Sequence, residues 1–158
     1  MRLEYRVDEA VLRSLAKWPN VPAVYGWLEL DRRGNWLIKG ERIGNLALRE
    51  FIARNYACEA GGSWSFQNGP QRVYVKLAYT PFVVHYEGEE LVDQCGRRFE
   101  AKQFWLDDEG SVLASNDETA ALLDDRDLAR FAERADALPR VAPAEVAARF
   151  RFAENPRP

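Results

Sequence analysis

From Leu3 to Val7 apolar and polar residues alternate, the period of a short strand, and Asp8 then offers an N-cap for a helix to about Lys17. Pro19 and Pro22 end that helix. Ala23 to Asp31 reads as a strand, Arg32-Arg33-Gly34-Asn35 as its turn and Trp36 to Lys39 as the return strand. Asn45 can cap a helix from Leu46 to about Cys58, which places Leu48, Phe51, Ile52 and Asn55 on one face, with Gly61-Gly62 as the helix exit.

Short strands are then expected at Ser63 to Gln67, Arg72 to Tyr79, Phe82 to Glu87, Glu90 to Asp93, Arg98 to Leu106 and Ser111 to Ala114. Turn residues divide them, Asn68-Gly69-Pro70 and Asp108-Glu109-Gly110 among them. Connections this short predict antiparallel neighbours, because a parallel crossover needs a dozen residues or so. Ser115 and Glu118 have the spacing of a capping box before a helical stretch to about Ala137, with Leu128, Phe131, Ala132, Ala135 and Leu138 as its stripe. Pro143 can open a last short helix.

The pattern predicts an α+β fold: an antiparallel β-meander of about five to seven strands, strongly curved or partly closed, packed against two main helices. Residues 1–153 are expected to form a single domain and 154–158 a flexible C-terminal tail. No internal repeat or linker is legible.

Composition narrows the class. The chain has 158 residues, 47% apolar and 30% charged, and no apolar run long enough to span a bilayer. Its opening residues lack the apolar centre of a signal peptide, and the two cysteines, Cys58 and Cys95, have no redox or zinc spacing. A cytoplasmic protein with free thiols and no membrane association is expected. Residues 1–79 carry a net charge of +4 and residues 80–158 a net charge of −7, an asymmetry that suits a homodimer or electrostatic steering. Eighteen of the 22 cations are arginine, a bias that a GC-rich bacterial genome also produces.

Tests of chemistry mostly exclude. Gly61-Gly62 lies at the carbonyl end of its predicted helix, the wrong polarity for phosphate, and the loop from Lys39 to Asn45 lacks the P-loop and dinucleotide patterns. With His85 as the single histidine, no metal and no cofactor are expected. Single-stranded nucleic acid has a basic, aromatic first half to recommend it and the isoelectric point, about 5.3, against it; it stands as a second alternative. An enzyme would use His85 as general base, with Glu87 two residues along the same strand face to orient it.

The leading expectation is a small non-catalytic module that binds a protein partner or a small ligand through an aromatic sheet surface, with Trp64, Arg72, Tyr74 and Tyr79 as its contact residues. Strand alternation puts Trp64 and Phe66 on one face, and keeps Arg72 and Tyr74 off the face of Val73 and Val75.

Overall fold

The computed structural model describes residues 18–158, so the strand and helix expected before Lys17 lie outside the described residues. Two mixed sheets, neither of them closed, make up the architecture. The six-stranded sheet contains β1 (Ala23–Leu30), β2 (Trp36–Ile38), β3 (Glu41–Arg42), β4 (Tyr56–Cys58), β5 (Trp64–Asn68) and β6 (Gln71–Leu77), in the order β3-β2-β1-β6-β5-β4. The seven-stranded sheet contains β7 (Phe82–Glu87), β8 (Glu90–Asp93), β9 (Arg98–Phe99), β10 (Gln103–Asp107), β11 (Val112–Ser115), β12 (Ala120–Leu123) and β13 (Arg140–Val141), in the order β13-β10-β11-β12-β7-β8-β9. Helix α1 (Leu46–Arg54) lies on the first sheet, and α2 (Val146–Arg149) comes near the C-terminus.

The single antiparallel meander under two main helices is therefore corrected. Turn-linked neighbours do pair antiparallel, as the short connections require. The parallel pairs join strands distant in sequence: β1 with β6, β12 with β7 and β10 with β13. Their crossovers run through whole hairpins and helices, which no inspection of adjacent connections reveals.

Two helices are also corrected. The helix expected to reach Cys58 stops at Arg54, where Asn55 caps it, and Tyr56–Cys58 turns into β4 against β5. Its start holds, since the Asn45 side chain accepts a hydrogen bond from Leu48 N–H at 2.9 Å. The helix expected after Ser115 is instead a hairpin: Ser115 pairs with Ala120, and Asn116 Oδ1 accepts from the N–H groups of Glu118 and Thr119. Ala-Ala-Leu-Leu at 120–123 is buried at every position between a parallel and an antiparallel neighbour. Burial on both sheet faces outweighs the helix preference of alanine and leucine there. In the rest of that expected helix, to Ala137, the chain forms 3-10 turns, at Asp125–Phe131 and Ala135–Ala137.

One apolar cluster spans both sheets. Phe66, Val73, Val75, Leu28 and Ile52 are among its fully buried members, each removing side-chain surface worth about 1.5–3 kcal/mol. At the joint between sheets, the Phe82 ring meets Trp64 edge-on at 4.9 Å and Tyr56 at 5.7 Å, while Tyr56 O–H donates to Pro81 O at 2.8 Å. Near the C-terminus, Glu154 O accepts from Leu77 N–H at 2.7 Å, and Pro156 is buried.

Candidate functional site

Hairpin β5–β6 turns through Gly69-Pro70, with Asn68 opposite Gln71, Gln67 opposite Arg72 and Ser65 opposite Tyr74. Glycine at the first loop position, φ +58°, supplies the torsion that an L side chain resists. Alternation then separates the faces. Phe66, Val73 and Val75 point into the core, while Gln67, Arg72 and Tyr74 stand on the half-exposed side.

On that outer side the Arg72 guanidinium pairs through Nη1 with the Glu59 carboxylate, and its Nε donates to Gln67 Oε1 at 3.2 Å. Tyr74 O–H lies 3.1 and 3.0 Å from the two Glu59 carboxylate oxygens and donates to that group. The Tyr74 ring stacks on Tyr25 at 4.5 Å with planes 3° apart. Desolvation, then the neighbouring Tyr25, raises the Tyr74 phenol above its ordinary value, so it stays a neutral donor at physiological pH. Glu59 and Arg72 remain partly exposed, so their pair contributes at most about 1 kcal/mol to folding. Its consequence is positional: beside it opens a cleft of about 570 Å³, lined by Asn55, Ala57, Cys58, Glu59, Ala60, Gly61, Ser65, Gln67 and Arg72.

Glu59 was not among the residues singled out by sequence, and Gly61-Gly62 is not a helix exit. Residues 59–63 are the loop of hairpin β4–β5, and among the described residues the same loop occurs three more times. Asp31 to Asn35 joins β1 to β2, Asp93 to Arg97 joins β8 to β9, and Asp107 to Ser111 joins β10 to β11. In all four the first residue's N–H donates to the fifth residue's carbonyl, and the fourth residue's N–H donates back to the first residue's carbonyl. The fourth residue is always a glycine in the left-handed region, with φ +83° at Gly34, +90° at Gly62, +81° at Gly96 and +87° at Gly110. Thus Asp-x-x-Gly-x is an internal repeat that spacing alone would have exposed, with Glu59 replacing aspartate in one copy.

That one methylene changes what the carboxylate does. Asp31, Asp93 and Asp107 each fold back, Oδ1 accepting from the N–H of the third and fifth loop residues at 2.8–3.1 Å. Glu59 reaches out to Arg72 and Tyr74 instead. Gly61 and Ser63, the equivalent donors, have no protein acceptor among the described residues.

The other sequence-selected residues lie elsewhere. Trp64 is buried against Tyr56 and Phe82. Tyr79 is buried too, its O–H donating to Asp107 Oδ2 at 2.8 Å with the Arg32 guanidinium 4.6 Å over its ring. His85 sits on β7 with Nε2 3.8 Å from Oε1 of the largely exposed Glu87, and neither lines the cleft. Among the described residues, no group of three or more His, Cys, Asp or Glu is placed to hold a metal ion, and no helix is long and apolar enough to cross a membrane.

A family model described as "Protein of unknown function (DUF2946)" matches residues 7–157. No curated protein matches the chain. Among solved structures, a DUF1285 family protein from Shewanella baltica is similar at 15% identity and TM-score 0.52, over 68% of this chain and 91% of that one. A DUF1285 family protein from Silicibacter pomeroyi is similar at 14% identity and TM-score 0.53, over 78% of this chain and 82% of that one. At these identities the likeness speaks to the fold alone.

Proposed function

The chain belongs to the family described as "Protein of unknown function (DUF2946)", and from that premise we propose that it is a non-catalytic binding module whose outer-sheet cleft takes a small polar ligand. One observation carries the reading. Glu59, Gln67, Arg72 and Tyr74, from a loop and two strands, are joined by hydrogen bonds and an ion pair beside a cleft large enough for a small molecule. Polar side chains already held by one another are ordered before a ligand arrives, which lowers the entropic cost of binding.

The enzyme alternative draws no support from His85, whose carboxylate neighbour is mostly solvated and which stands outside the cleft. Nucleic-acid stacking draws none from Trp36, Trp64 and Phe66, which are core residues. A cytoplasmic setting belongs to the same proposal, and the unpaired Cys58 and Cys95 are consistent with it.

Amide-detected NMR against a library of small polar fragments tests the reading. Shifts should gather at Asn55, Gly61 and Gln67 and be lost in Arg72→Ala. Perturbations gathering around His85, or no responding fragment at all, would overturn it.

A further inference from the structure

We propose that the cleft recognises its ligand through a carboxylate, one oxygen of which is held by the backbone N–H groups of Gly61 and Ser63 beside the Arg72 guanidinium. The proposal rests on reading the cleft as a ligand site and deepens it by naming the ligand's chemical class.

The molecule itself contains the template. Three of its four matched loops hold a carboxylate oxygen between the N–H groups of their third and fifth residues, at 2.8 and 2.8 Å for Asp31, 2.8 and 3.1 Å for Asp93, and 2.9 and 2.8 Å for Asp107. The loop at Glu59 repeats the two backbone hydrogen bonds and the left-handed glycine. Flanking registers agree as well, with Cys58 opposite Trp64 just as Leu30 opposes Trp36, Val92 opposes Arg98 and Leu106 opposes Val112. The same backbone therefore aims the N–H groups of Gly61 and Ser63 to one point on the side of the Glu59 side chain. Glu59 and Gly61 both line the cleft. Backbone N–H groups that converge in a turn form a concave anion seat.

Glu59 leaves that seat free because its longer side chain is engaged by Arg72 and Tyr74. Arg72 is also the local cation. A guanidinium carries five N–H donors, and the contacts to Glu59 and Gln67 leave others for a second carboxylate. Glu59 keeps its negative charge nearby, so a simple carboxylate should bind weakly and selectively.

Two uncharged variants that differ by one methylene isolate the seat. Glu59→Asn should fold its side-chain oxygen back onto Gly61 and Ser63 as the sister aspartates do, raising the Tm by about 2–4 °C and closing the seat. Glu59→Gln should leave it open and remove the repelling charge. Sodium acetate is titrated at constant ionic strength against wild type and both variants, with acetamide as the neutral control, following the amide signals of Gly61 and Ser63.

We expect saturable acetate shifts in wild type, several-fold tighter binding in Glu59→Gln, at least tenfold weaker binding in Glu59→Asn, and no response to acetamide. Equal acetate binding by the two variants, or an acetamide response matching that of acetate, would overturn the carboxylate assignment. If neutral fragments still shift Asn55 and Gln67 while acetate moves nothing, the cleft stands and the carboxylate seat falls. Failure of every probe removes both.

Discussion

A Cβ placed on Gly62 would stand 2.5 Å from the backbone oxygen of Arg151. The loop that carries Glu59 is thus pressed against the C-terminal segment, and Ala153 N–H donates to Gly62 O at 2.9 Å to hold it there. Arg151 occupies the left-handed position just past α2, φ +60°, where Phe152 N–H closes the helix end onto Ala147 O. Gly62 itself has φ +90°. Gly62→Ala should therefore cost about 2–4 kcal/mol, combining backbone strain with a clash against immovable main chain. Gly61→Ala is the control, since a Cβ there meets nothing within 4 Å, and urea unfolding of the pair should separate them clearly.

How much of this was legible in the sequence differs by element. Turn residues at their ends located β7 and β8 to the residue, and period-two alternation put Arg72 and Tyr74 on the face opposite Val73 and Val75. Those are local facts, decided by which side chains can be buried together. Parallel pairing of β1 with β6 was not legible, because it is chosen by packing between segments about 50 residues apart. Ala120–Leu123 misled for the related reason that its composition suits a helix and only its burial makes it a strand. Glu59 was missed differently. The Asp-x-x-Gly-x spacing is present in the letters, but each glycine by itself reads as a turn residue, and the copy that begins with Glu59 reads as a helix exit.

Tyr79 links two of the four loops, and its loss should be felt in folding. Asp107 is fully buried, and its carboxylate accepts from Glu109 N–H, Ser111 N–H and Tyr79 O–H. Burial, then the hydrogen bond to Asp107, drives the Tyr79 phenol far above its ordinary value, so it donates across the working pH range. Tyr79→Phe leaves a buried carboxylate oxygen without its partner and should cost about 1–3 kcal/mol in urea unfolding. Arg32→Ala removes a cation over the same ring from an exposed position and should cost no more than about 1 kcal/mol.

Asp93 should make stability fall with rising pH. Desolvation raises its carboxyl above the ordinary 3.8, against the lowering effect of hydrogen bonds from the N–H groups of Arg97 and Cys95. The folded chain therefore holds this proton at pH values where the unfolded chain has released it. Stability contributed by the protonated group is lost as pH rises through the folded value. Asp93→Asn keeps an acceptor for the two loop N–H groups and cannot ionise. Its stability relative to wild type should climb from about pH 4 upward and then level off, as urea midpoints at a series of pH values would show. A relative stability that falls over the same range would mean that the loop N–H groups outweigh burial.

The two thiols should differ in reactivity, and the difference reports on the cleft wall. Burial, then the charge of Asp93, pushes Cys95 up to about 12, leaving almost no thiolate at pH 8. Cys58 is exposed beside Glu59; burial of part of its side chain raises its thiol, with the Gly62 N–H opposing. Attack requires both thiolate and access, and Cys95 is poor in each. Iodoacetamide at pH 8 should therefore alkylate Cys58 at least about tenfold faster than Cys95, read peptide by peptide in a mass spectrometer. Denaturant should bring the two rates together. Equal rates in the folded protein would show that the Asp93 loop opens far more readily than its buried carboxylate and paired N–H groups imply.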